Sequence, residues 1–205
     1  GKFHSCLFCL SQFGRIKYRK KAIQEAITIE LQALQIAKIQ RDTQNELLSM
    51  LCIGRYFLEG KNMNIDTAFA YFRRLENYCV AQKTSTRICY MAGVYTGDAY
   101  YLEKNYEKSL QYHKAALQNS ASKSLLNTTY LYTVLAQDYI GLKQYDSTEL
   151  YIRKLYPLVA KGPDPGQLAD YWRLRSQLAI AQGNKTLAKE YLRQGLRLTD
   201  THYIR

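Results

Sequence analysis

The sequence is poor in the residues that interrupt helices. Three prolines and 11 glycines in 205 residues, set among abundant Gln, Lys, Leu and Ala, favour helix throughout. No stretch approaches 18 consecutive apolar residues, so no segment reads as a membrane-spanning helix. Catalytic signatures are missing too. There is no Gly-x-Ser-x-Gly, no Gly-rich phosphate loop and no His-Glu-x-x-His, and Asp98 and Glu103 are single carboxylates without an evident partner. Gly93 and Gly97 fall within a helical pattern, where they serve close packing better than phosphate binding. Neither an enzyme nor a cofactor is expected.

Cysteine is also scarce. Five residues, an odd number at irregular spacing, argue against a complete disulfide framework. Cys6 and Cys9 form a Cys-x-x-Cys with His4 nearby. A metal site there needs a second ligand pair, and a redox site needs a following strand–helix unit. Cys52, Cys79 and Cys89 supply neither, so all five read as buried or incidental thiols and no metal is expected.

What is present is a globular chain, 47% hydrophobic and 22% charged, with apolar residues along its whole length. The fold class expected is all-α. A net charge of +12 makes an acidic partner conceivable. Only "RIKYRKK" (Arg15 to Lys21) concentrates it, and the remaining cations are dotted along helix faces. The apolar stretch Phe3 to Phe13 is either the tail of a trimmed secretory segment or a first helix.

A repeat then emerges. Gly54, Gly97, Ala136 and Ser176 recur at steps of 43, 39 and 40 residues, with Phe57, Tyr100, Tyr139 and Ala179 three positions after each. A second column, Ala68, Ser109, Thr148 and Ala188, keeps step at 41, 39 and 40, with Phe72, His113, Ile152 and Leu192 four positions on. Each unit reads as two helices. Tyr132, Leu135, Ala136 and Tyr139 give the i, i+3, i+4, i+7 face of a first helix. Asn105, Asn184 and Asp146 with Glu149 mark starts of second helices. Small residues let the two helices approach and large ones fill the flanks. Upstream, Arg15 to Asp42 reads as one amphipathic helix, the second of a degenerate unit whose first helix is residues 3–13.

These columns resemble the tetratricopeptide repeat, W-x2-L-G-x2-Y followed by A-x3-F. Trp172 with Ser176 and Ala179 carries the likeness, as does Tyr132-x2-Leu135-Ala136-x2-Tyr139. So does Gly97-x2-Tyr100 with Tyr106, Ser109, His113 and Ala116-Leu117. It covers about Asn45 to Thr199. The period departs from the family's usual ~34 residues, with the extra length at "NSASKSLL", "VAKGPDPGQ" and "EGKNMN". HEAT-type repeats share the longer period but not these columns.

The resemblance implies a right-handed superhelix of stacked antiparallel helix pairs, an α-solenoid of about four to five repeats. One array would run over 1–205, with a degenerate pair at 1–44 and repeats at 45–82, 83–122, 123–162 and 166–200. Both ends suggest part of a longer protein. In this family the first helix of each pair lines a ligand groove. The positions implied are Arg55, Asp98, Tyr101, Tyr130, Gln137, Arg173 and Gln177, with Leu51, Leu58, Val94, Thr133, Ile140, Asp170 and Ile180 beside them. Asp98, Thr133 and Gln137 depart from the family's carboxylate clamp, so chaperone tails are not expected there. His113 reads as a packing residue.

The function implied is a non-catalytic scaffold for a protein or peptide. Tyrosine-rich irregular repeats of this kind, here with 19 tyrosines, look like sensor regions of bacterial cell-envelope regulators. That places the chain in the periplasm or envelope ahead of the cytoplasm, with membrane contact left to other parts of a longer protein. The alternative is a basic surface for nucleic acid or anionic membrane through Arg15 to Lys21, joined by Lys123, Arg153, Lys154 and Lys161.

Overall fold

The structure, a computed structural model, describes residues 2–60, 63–83, 86–118, 125–160 and 165–203. All regular structure among them is helical: α1 (Lys2–Arg19), α2 (Ile23–Ile39), α3 (Thr43–Phe57), α4 (Ile65–Ala81), α5 (Arg87–Leu102), α6 (Tyr106–Gln118), α7 (Leu125–Gly141), α8 (Tyr145–Val159), α9 (Pro165–Ala181) and α10 (Lys185–Tyr203). The chain divides into two compact units, Gly1–Glu103 and Lys104–Arg205. In the first, α2 packs on α1 and α3, α4 packs on α3 and α5, and α3 also touches α1 and α5. In the second, α7 packs on α6 and α8, while α9 packs on α8, α10 and α7.

The two small-residue columns are the crossing points of these helices. Gly54, Gly97, Ala136 and Ser176 are buried, as are Ala68, Ser109, Thr148 and Ala188. A Cβ built on Gly54 would stand 2.5 Å from the Phe72 ring, and one on Gly141 would stand 2.5 Å from the Tyr106 ring. The helices therefore approach to the limit that glycine allows. In the large-residue column Phe72, His113 and Ile152 are fully buried. Leu192 stays 43% exposed, because no described helix covers that side of α10.

The expected single helix from Arg15 to Asp42 is two helices, α1 and α2. Lys21 takes a left-handed backbone with φ 62°. Its N–H donates to the Tyr18 carbonyl and that of Ala22 donates to Lys17, the paired bonds of a Schellman stop. The same pair closes α2 at Arg41, α7 at Lys143 and α9 at Gly183. Lys83 and Lys104 are left-handed as well. A non-glycine residue there costs about 1–2 kcal/mol, which a cation at a helix C-terminus partly offsets through the dipole.

Helix starts follow ordinary capping. Asp42, Asn64, Thr86, Asn105 and Asn184 each accept from the backbone N–H three residues on. The expected capping box at Asp146 and Glu149 is absent. Gln144 is the N-cap of α8, without a side-chain bond, and Glu149 instead holds Arg175 of α9 at 2.6 Å.

Cys79 and Cys89 are not incidental thiols but a disulfide, with Cα atoms 5.9 Å apart. Cys79 lies in the last turn of α4 and Cys89 in the first turn of α5, so the reversal of the chain brings them to bridging distance. Cys9 and Cys52 are free. The side chains of His4, Cys6 and His202 lie outside the described residues, as do Lys123, Lys161 and much of the expected length between repeats.

Candidate functional site

In the first unit the first helices of consecutive pairs, α1, α3 and α5, bring together a ladder of tyrosines around one arginine. The Arg55 guanidinium lies 4.9 Å from the centroid of the Tyr18 ring and 5.3 Å from that of Tyr95. Tyr18 stacks on Tyr56 at 4.5 Å and donates its hydroxyl proton to Glu59, which also pairs with Arg55 at 3.9 Å. Each cation–π contact contributes about 0.5–2 kcal/mol as solvent is withdrawn. Burial raises the Tyr18 phenol and pushes that of Tyr95 up to about 12, where Arg55 pulls down and Asp98 pushes up. Both rings remain neutral hydrogen-bonding faces across the working pH range.

Arg55 is thus held in this ladder, and Asp98 and Tyr101 are half-buried on α5. Leu51, Leu58 and Val94, expected beside them on the open face, are buried in the core. The offsets are too coarse to separate a groove position from one turned against the neighbouring helix. Tyr18 was not anticipated. Its signal is in the chain, four residues after Gly14, the offset that Tyr101 has from Gly97.

In the second unit α7 and α9 pack directly on each other, so equivalent repeat positions lie side by side. Gln137 and Gln177 are both half-buried at the same register. On the same two helices Tyr130 is 42% exposed and Ile180 is 59% exposed. Arg173 and Asp170 form an exposed ion pair at 2.9 Å, worth little in stability at such a surface. The positions that the repeat numbering assigns to this face are therefore two amides, two exposed apolar side chains and one charge of each sign.

His113, Ser109 and Asp138 have the composition of a nucleophilic triad without its geometry. The Ser109 hydroxyl donates to Asp138 Oδ1 at 2.6 Å, and His113 Nδ1 lies 2.7 Å from Oδ2. Ser109 and His113 share one carboxylate, and all three side chains are 0% exposed. An acyl-transfer triad needs the serine on the other ring nitrogen and open to substrate. The cluster ties α6 to α7. His113 does occupy a packing slot, but Asp138, 25 residues away, holds it there.

The basic stretch is divided. Lys17 is bound to Glu25 at 2.6 Å and lies over the Phe13 ring, while Arg15, Arg19, Lys20 and Lys21 are exposed. Arg153 and Lys154 are exposed on α8, with Lys154 over the Tyr151 ring. Among the described residues no group of three or more His, Cys, Asp or Glu could hold a metal ion, and no helix is long and apolar enough to cross a membrane.

No protein-family model matches the sequence, and no curated protein matches it. Solved structures do match. BtubC (BKLC) from P. vanneervenii is similar at a TM-score of 0.71 and 13% identity, over 95% of this chain and 80% of that one. A tetratricopeptide repeat protein from Parabacteroides merdae gives 0.54 and 16%, over 94% and 78%. PilW, described as a widely conserved type IV pilus biogenesis factor, gives 0.52 and 18%, over 92% and 91%. At these identities the likeness is one of fold. The chain is an all-α helical-repeat protein with the tetratricopeptide-repeat fold.

Proposed function

We propose that the chain is a non-catalytic scaffold that grips an extended peptide or a protein segment through the first helices of its pairs. The observation that carries this is the α7–α9 face. Gln137 and Gln177 stand at one register on adjacent helices, where two amides can pair with a peptide backbone while Tyr130 and Ile180 contact its side chains. Arg173 and Asp170 add a weak, exchangeable ion pair at the edge. In the first unit, taken by itself, Arg55, Asp98 and Tyr101 lie on first helices. A peptide array probed with the whole protein tests this. The double variant Q137A/Q177A is expected to lose about tenfold or more in affinity for the peptides the wild type selects, with its helical content unchanged. Undiminished binding overturns the assignment.

The finer reading is a sensor region of a bacterial cell-envelope regulator. The Cys79–Cys89 disulfide supports an oxidising compartment over the cytoplasm, and the fold shared with a pilus biogenesis factor accords with an envelope setting. Thiol titration of protein isolated from its host under alkylating conditions decides the point. Cys79 and Cys89 are expected to be protected until reductant is added, and immediate alkylation of both places the chain in a reducing compartment.

A further inference from the structure

Glu30 lies on α2, four residues after Ala26. The spacing repeats that of Ala68 and Phe72, Ser109 and His113, and Thr148 and Ile152, and Gly14 stands 40 residues before Gly54. Glu30 thus occupies the slot that elsewhere holds a large core side chain. It is 0% exposed, yet neither carboxylate oxygen makes a hydrogen bond of normal geometry. Gly14 of α1 makes the room, since a Cβ there would lie 3.0 Å from Glu30 Oε1. Around it, α1 presents Arg15, and α3 presents Ser49, Cys52 and Tyr56. A fully buried carboxylate with neither oxygen in a well-formed hydrogen bond is costly unless it takes up a proton.

We propose that Glu30 is a buried proton-binding site that holds α1 on α2 and α3 while protonated and loosens that packing when the proton leaves. Burial pushes its pKa up to about 7, with the Ser49 hydroxyl and Arg15 opposing. Burial also pushes the Cys52 thiol up to about 12 and raises the Tyr56 phenol, both helped by the charge of Glu30. Those two groups therefore stay neutral while Glu30 titrates. The direction follows from linkage. The folded state keeps the proton up to about pH 7, whereas an unfolded glutamate releases it near 4.5. The stabilisation is complete below about pH 4.5, falls between about 4.5 and 7, and is gone above.

The consequence reaches the tyrosine ladder. Tyr18, which covers Arg55 and donates to Glu59, is carried on α1. Loosening α1 uncovers Arg55 on the face formed by α3 and α5, so the proton would regulate which groups that face offers.

Hydrogen exchange on the whole protein tests the site. Corrected for intrinsic rates, protection of α1 amides in the wild type is expected to fall on the order of 10²-fold from about pH 5 to about pH 8. Neither E30Q nor E30L should show that extra fall. An equal fall in wild type and both variants overturns the proposal. If neither variant folds, the assigned Glu30 carboxyl carbon resonance of the wild type decides. A midpoint near 7 supports the site, and a midpoint below about 5.5 sinks it.

Discussion

Replacing Asp138 by alanine is expected to unfold the second unit at room temperature or leave it barely stable. The carboxylate is fully buried and accepts from Ser109 at 2.6 Å while facing His113 Nδ1 at 2.7 Å. Its removal takes the carboxylate away from a buried hydroxyl and a buried imidazole on α6, and breaking a buried pair from one side costs about 3–5 kcal/mol. Total stability for a domain is only about 5–15 kcal/mol. The informative comparison is the combined variant S109A/H113F/D138L, which makes the slot apolar as Phe72 and Ile152 make theirs. Removing all partners together is expected to cost much less than D138A alone. Urea denaturation of the wild type and the two variants measures the difference. If D138A costs under about 1 kcal/mol, or the combined variant is the least stable, the cluster does not tie the helices together.

A single methyl group at Gly54 is the second large effect. In an exposed helix Gly to Ala gains about 1 kcal/mol of propensity. Here the new Cβ meets Phe72 Cε1 at 2.5 Å and two further ring carbons at 3.0 Å. Phe72 is fully buried and packs against Tyr95 at 6.0 Å, so the ring has nowhere to retreat. Overpacking of this kind costs about 1–3 kcal/mol net. Shrinking the opposing residue should restore part of it, so G54A/F72L is expected to be less destabilised than the sum of G54A and F72L. Thermal melts of the single and double variants give that coupling, and strict additivity would place the two residues out of contact.

The repeat was legible because close helix crossings demand small residues, and successive helices within each unit reuse the solution. Gly14 and Ala26 extend both columns into the first pair, but with only Lys17 and Glu30 at the large positions that pair hid its register. The break between α1 and α2 was hidden because its left-handed residue is Lys21 rather than glycine. The disulfide was missed because pairing depends on the chain reversal between α4 and α5, which cysteine spacing alone does not reveal. His113 was placed in the core by its column. Its partner Asp138 lies on the next helix and follows no column, so only the fold joins them. On the candidate faces, residue numbers counted from the small positions reached Tyr130, Gln137, Arg173 and Gln177. They did not distinguish an open position from Leu51 or Val94, whose exposure depends on how the neighbouring first helix leans.

The left-handed residues at the helix ends bear on the basic character of the chain. Lys21, Arg41, Lys83, Lys104 and Lys143 are five of its 29 lysines and arginines, each beside the negative end of a helix dipole. Part of the surplus positive charge is therefore a by-product of how turns are spelled. It grows with the number of helices, whatever the partner. Swapping these five positions to glycine would lower the net charge from +12 by five while keeping every stop. Such a neutralised sibling separates the electrostatics of the architecture from those of recognition.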